Sequence, residues 1–154
     1  MAALNTVRFP VESAYVFGRG VMVTGLEASM DFNLRGKVQD AQARDPETGA
    51  RLWMLFGVDM DETYDPDAEQ SGFHRSAEVK VRIASETRPV VPPALVAGFG
   101  PVVEFENLTL TPWPDTARCK APEQGKAHVC RTRLAYSMRA TGLHAFSGAL
   151  SMQS

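Results

Sequence analysis

The feature that most narrows the fold of this chain is a two-residue alternation that recurs along it, with almost no helical periodicity beside it. Between Glu78 and Ala84, Val79, Val81 and Ile83 alternate with Lys80 and Arg82. A β-strand sends successive side chains to opposite faces, so this segment carries an apolar inner face and a basic outer one. Arg51 to Asp59 forms a second strand, with Leu52, Met54, Phe56 and Val58 on one face and Arg51, Trp53, Leu55 and Asp59 on the other. It follows Asp45-Pro-Glu-Thr-Gly49, whose early proline and late glycine suit a short hairpin turn. The partner strand across that turn is Lys37 to Arg44, a more polar run.

Three further strands follow from the same pattern. Gly20 to Leu26 places Val21 and Val23 opposite Met22, Thr24 and Leu26, and Val102 to Trp113 ends at Pro112 and Pro114. Cys130 to Thr141 has an inward set of Thr132, Leu134, Tyr136 and Met138 and an outward set of Arg131, Arg133, Ser137 and Arg139. Between them, the proline-stiffened stretch from Arg88 leads into one helical turn at Ala94 to Ala97. These elements predict an all-β fold, a small five- or six-stranded barrel of the oligonucleotide/oligosaccharide-binding (OB) kind with little helix; a small antiparallel β-sandwich is the alternative. At 154 residues the chain can bury a core as one domain, 1–154, centred on about 15–142 with a loosely ordered tail over 143–154. Hydrophobic residues at 44% and charged residues at 22% exclude a disordered chain or a coiled coil.

The formal charge of −2 excludes a strongly basic nucleic-acid coat but conceals an asymmetry. Residues 59–69 hold six acids and no base, which leaves 16 basic against 12 acidic residues elsewhere. Residues 118–139 carry Arg118, Lys120, Lys126, Arg131, Arg133 and Arg139 against Glu123 alone. Alternation puts Arg131, Arg133 and Arg139 on one strand face and Lys80 and Arg82 on a corresponding face, a stripe that can follow a phosphate backbone. The plainer reading is an ordinary solvated sheet face. Trp53 lies out of phase with the apolar residues of its strand and beside Arg51, as a base-stacking platform would. Its alternative is a place under a loop or beneath the proline-rich segment. Trp113, between two prolines, reads as a strand-end cap.

Other chemistries find little support. Asp59-x-Asp61 begins like a calcium loop, yet Tyr64 stands where glycine is required and Gln70 where glutamate is required. A flexible acidic loop fits better. Cys119, His128 and Cys130 supply three zinc-type ligands without paired short spacings, so no metal site and no cofactor is expected. No nucleophile elbow, H-E-x-x-H helix or phosphate-binding glycine loop occurs, and the chain reads as non-enzymatic. The N-terminus does not read as a signal peptide, and no apolar run reaches the ~20 residues of a membrane helix. A cytoplasmic protein without membrane contact is therefore expected.

Taken in order, Asp31-Phe32, Asp45-Pro-Glu-Thr-Gly-Ala-Arg-Leu-Trp53 and its strand to Asp59, Val79-Lys-Val-Arg-Ile83, Pro92-Pro93, Val102 through Pro112 and Arg133 through Ala140 form a recognisable set. The chain resembles a family of small proteins of actinobacterial integrative plasmids and related mobile elements, the plasmid replication, integration and excision activators. The resemblance covers about residues 15–142 and departs in the Asp115–Cys130 loop, which is longer here and carries the cysteines. It implies a role in the replication, excision or transfer of a mobile genetic element, with an OB barrel acting on single-stranded DNA as the mechanism. The layout is also similar to that of single-stranded-DNA-binding proteins in general.

Together these readings point to non-enzymatic binding of single-stranded DNA, or RNA, through Arg51, Trp53, Lys80, Arg82, Arg131, Arg133 and Arg139. The alternatives are a protein-interaction module that recruits replication or recombination machinery, and a double-stranded-DNA-binding activator. A homo-oligomer is left open.

Overall fold

The computed structural model describes residues 7–61, 78–115 and 133–147. In chain order the elements are β1 (Phe9–Pro10), α1 (Ser13–Val16), β2 (Val21–Ala28), β3 (Leu52–Asp59), β4 (Glu78–Ala84), β5 (Val102–Glu106), β6 (Thr109–Asp115), β7 (Arg133–Ala140) and β8 (Gly142–Ala145). All eight strands belong to one sheet, ordered β1-β6-β7-β4-β3-β2-β5-β8. β2, β3 and β4 form an antiparallel meander, whereas β4 and β7 run parallel.

The fold is all-β, as the alternation predicts, and a single curled half-barrel rather than a sandwich. Among the described residues it has eight strands instead of five or six, for two reasons. The expected strand from Val102 is split by Asn107, whose φ of 52° lies in the left-handed region that Asn tolerates better than most residues. Short β1 and β8 then add at the two ends of the sheet. Because β5 and β6 sit near opposite ends yet are joined by only Asn107 and Leu108, the bend draws those ends together. The result is barrel-like curvature consistent with the OB layout.

The concave face holds the core: Val21, Leu55, Val81, Ile83, Val103 and Ala140 have no exposed surface, with Phe105 and Leu108 nearly so. Truncating a buried Leu or Ile to Ala costs about 2–5 kcal/mol, so Leu55 and Ile83 each carry a large share of a small domain's stability. Gly57 is required by this packing, since a Cβ there would lie 2.8 Å from the Met22 carbonyl oxygen and closer still to Val21. In β2 the register shifts between Val23 and Gly25, a bulge that inserts one residue. That shift brings Leu26 onto the core beside Val21 and Val23, correcting the simple alternation that put it opposite them. The short helix α1 was not expected. Ser13 Oγ accepts the Phe105 N–H at 2.9 Å, and Phe17 meets Phe105 edge to face at 5.8 Å.

Lys37 to Arg44 is not a strand. Asp31 and Asp40 accept the backbone N–H groups of Asn33 and Gln42, and Gly36 has φ 82°, so local turns replace the ladder. Two isolated bridges remain, Met30↔Gln42 and Arg44↔Arg51. The turn at Asp45–Gly49 forms as expected, with Gly49 N–H on the Asp45 carbonyl at 2.8 Å, but β3 takes β2 as its partner. Ala94 to Ala97 is not a helical turn; the chain bends there and Phe99 N–H closes on the Val96 carbonyl. Of the tail expected to be loose over 143–154, the described part to 147 is tied down: β8 pairs with β5, and Phe146 N–H bonds the Val102 carbonyl; 148–154 lie outside the described residues.

At the β1 end of the sheet, β1 covers only Thr109 and Leu110 of β6. Beyond it lie Pro112 and Pro114, which an edge strand tolerates because the missing N–H faces away from the ladder. Among the described residues no helix is long and apolar enough to cross a membrane.

Candidate nucleic-acid interface

The faces of β3 are the reverse of a stacking platform at Trp53. Leu55 is fully buried, and Trp53 on the same face packs against the core, in register with Ile83. Its indole N–H donates to the Ser85 carbonyl at 2.8 Å, and the Arg88 guanidinium lies 5.6 Å from the ring centroid. The strand is apolar on both faces, so alternation alone could not tell which one the core would take. Trp53 is thus a structural residue, seated as the alternative reading had it.

The arginines divide by their partners. Arg51 is held by Asp40 at 2.8 Å, by Gln42 Oε1 at 3.0 Å and by Glu86 at 3.5 Å. The Arg51 guanidinium, with help from the Gln42 N–H, holds the Asp40 carboxyl below its ordinary value of 3.8. Arg139 pairs with Asp45, whose side chain is 1% exposed, and reaches Glu47 at 3.5 Å. Arg8 approaches the same Asp45 oxygen at 3.3 Å, while Thr48 donates its hydroxyl and its N–H to the other. A carboxylate this deeply buried needs such company. Arg139 therefore does not face phosphate as the outward pattern suggested. Arg131 lies outside the described residues, and of Arg133 only the backbone, in register with Asp115, is described.

Lys80 and Arg82 occupy the outer face as expected, opposite Phe56 and Met54 respectively. Lys80 Nζ stands 5.8 Å above the centre of the Phe56 ring. Among the described residues, no carboxylate lies within ion-pair distance of either cation.

Next to them the sheet opens. β4 and β7 pair only through Val81–Ile83 and Met138–Ala140, and beyond that point they part around a groove of about 410 Å³. Lys80, Arg82, Trp113, Tyr136, Met54 and Met138 line it. Trp113 is 40% and Tyr136 49% exposed, so flat aromatic surface stands free beside two cations. Residue-level reading missed both aromatics as exposed surface: Trp113 looked like a strand-end cap, and Tyr136, assigned inward, does share the phase of Met138 and Ala140 but is left uncovered where β4 and β7 part. The available signal was the Pro-Trp-Pro run, since prolines at this spacing fit a strand near a sheet edge, where an aromatic facing away from the core stays uncovered. This set of groups suits stacking and anion contact.

Elsewhere the histidine at 144 sits between Glu104 at 3.0 Å and Glu106 at 3.4 Å. Of the acidic loop, Asp59 and Asp61 are described, with Arg19 at 3.4 Å from Asp61. Its remainder, and Cys119, His128 and Cys130, lie outside the described residues. No group of three metal-ligating side chains occurs among those described. Comparison of the chain with protein-family models, with curated proteins and with solved structures returns no match.

Proposed function

We propose that this chain binds single-stranded nucleic acid, without catalysis, at the groove between β4 and β7 and on the outer face of β3, β4 and β6 beside it. The observation that carries the reading is the exposed pair Trp113 and Tyr136 beside Lys80 and Arg82, which lack carboxylate partners among the described residues. In OB barrels the sheet face around the second and third strands is where oligonucleotides lie, and β3 and β4 hold those places in this meander. Aromatics take the bases while the cations take phosphates. With the resemblance to plasmid replication, integration and excision activators, the proposal extends to a cytoplasmic accessory role in replication, excision or transfer of a mobile element.

The test is fluorescence anisotropy with a labelled oligo(dT) of about 30 nucleotides and a matched duplex, at low and moderate salt. The single strand is expected to bind more tightly than the duplex and to weaken as salt rises. Trp113→Ala is expected to cost about 1–3 kcal/mol of affinity, the worth of one stacked base. Trp53→Ala is expected to lower stability instead. Equal binding of duplex and single strand, or an unaffected Trp113→Ala, would overturn the reading.

A second reading has its own observation. Phe32 in the β2–β3 connection and Val90, Leu95 and Phe99 in the β4–β5 connection are well exposed, as a surface that recruits a replication or recombination protein would be. Retained self-association or partner capture without any nucleic-acid binding would favour it.

A further inference from the structure

We propose that the groove between β4 and β7 is a base pocket that prefers guanine. The inference rests on the single-strand reading above and sharpens it from sequence-indifferent binding to selection at one nucleotide. At about 410 Å³ the groove lies near the lower end of the ~300–1,000 Å³ range of small-ligand pockets, so it suits one unstacked nucleotide rather than a run of them. Its flat surfaces are Trp113 and Tyr136, with Met54, Val79 and Met138 as apolar, adaptable lining.

The polar groups decide which base fits. Glu78 is the one carboxylate among the described lining residues, and it stands on the same strand as Lys80 and Arg82. Guanine alone among the common bases presents two adjacent N–H donors, N1–H and the N2 amino group, on its Watson–Crick edge. A carboxylate accepts both in parallel, in the fork geometry it uses with arginine. Adenine and cytosine offer one amino group beside an acceptor nitrogen. Thymine and uracil offer one N–H between two carbonyl oxygens, which a carboxylate repels. The O6 and N7 acceptors of guanine match the donors of Arg82 and Lys80. Glu78 also has an interaction elsewhere in the chain, and a carboxylate's two oxygens carry about four lone-pair sites.

The experiment compares labelled strands of about 15 nucleotides by anisotropy: oligo(dT), and the same strand with one central dG, dI or dA. Inosine keeps N1–H and O6 but lacks the N2 amino group. The dG strand is expected to bind about tenfold tighter than oligo(dT), with dI between them. Glu78→Gln, an exposed and nearly isosteric change, is expected to bring the ratio of dG-strand to oligo(dT) affinity to within about twofold of one, whatever it does to the two affinities together. Equal binding of dG and dT strands, or a preference that survives Glu78→Gln, would overturn the guanine assignment and leave single-strand binding intact. Failure of every strand to bind would overturn both.

Discussion

Arg82 and Arg139 are register neighbours on adjacent strands, yet their settings are opposite. Arg139 turns to a buried carboxylate that it shares with Arg8, with Glu47 and Thr48 completing the corner. Arg82 stands over the groove beside Met54, Trp113 and Tyr136, and no described carboxylate is within ion-pair reach. The first cation is committed to holding the 45–49 turn against the sheet; the second is left with charge to offer a ligand. An outward-pointing arginine is thus a binding candidate only after its neighbours from distant parts of the chain have been counted.

The largest expected effect comes from breaking the committed side. Asp45→Asn leaves two guanidinium groups facing a neutral amide and should lower unfolding free energy by about 3 kcal/mol, measured by urea titration at neutral pH. A loss below about 1 kcal/mol would show that the corner is not a structural clamp. The arginine pair itself sharpens the contrast. Arg82→Ala should change stability by no more than about 0.5 kcal/mol, yet reduce the log–log salt slope of single-strand binding by about 0.7. Arg139→Ala should do the reverse, and a slope change in both variants would erase the distinction.

The smallest effect concerns Asp40, held by Arg51 in an exposed network. Its folded value lies below the ordinary 3.8, so its ionised form adds stability that is complete above that value and is lost as pH falls through the lowered one. Asp40→Asn should therefore be slightly less stable than the parent at pH 6, the two curves converging in stronger acid. Curves that stay parallel to pH 2 would place the stabilisation outside this carboxylate.

Much of the scaffold was legible in the residues. Glu78 to Ala84 reads correctly because only one of its faces is apolar, and the turn at Asp45–Gly49 reads correctly because its chemistry is local. β3 misleads for the converse reason: Leu52, Met54 and Phe56 look as much like a core as Trp53 and Leu55 do. The choice is made by neighbours, with Val81 and Ile83 opposite Leu55 and Trp53 and the close approach of Val21 at Gly57. The bulge in β2 and the left-handed Asn107 are single-residue events that shift parity or split a strand without changing composition. The candidate site was half legible. Lys80 and Arg82 announce their face by alternation, whereas the commitments of Arg51 and Arg139 depend on carboxylates 11 and 94 positions away, at Asp40 and Asp45. Trp113 escaped because proline flanks suggested an ending, and Tyr136 because strand phase alone does not show where β4 and β7 separate.

Those prolines have one more consequence. A sheet whose last strand still offers donors invites another chain to dock along it, and growth by that route is how soluble β proteins become fibres. Beyond Leu110 the β6 border presents Pro112 and Pro114, so an incoming strand would meet missing donors at alternate positions. The same short sequence that holds an aromatic ring out toward solvent therefore also stops the sheet from recruiting its own copies there. An indole exposed for stacking would otherwise be the seed of self-assembly; bracketed in this way, it can remain open to a ligand at high protein concentration.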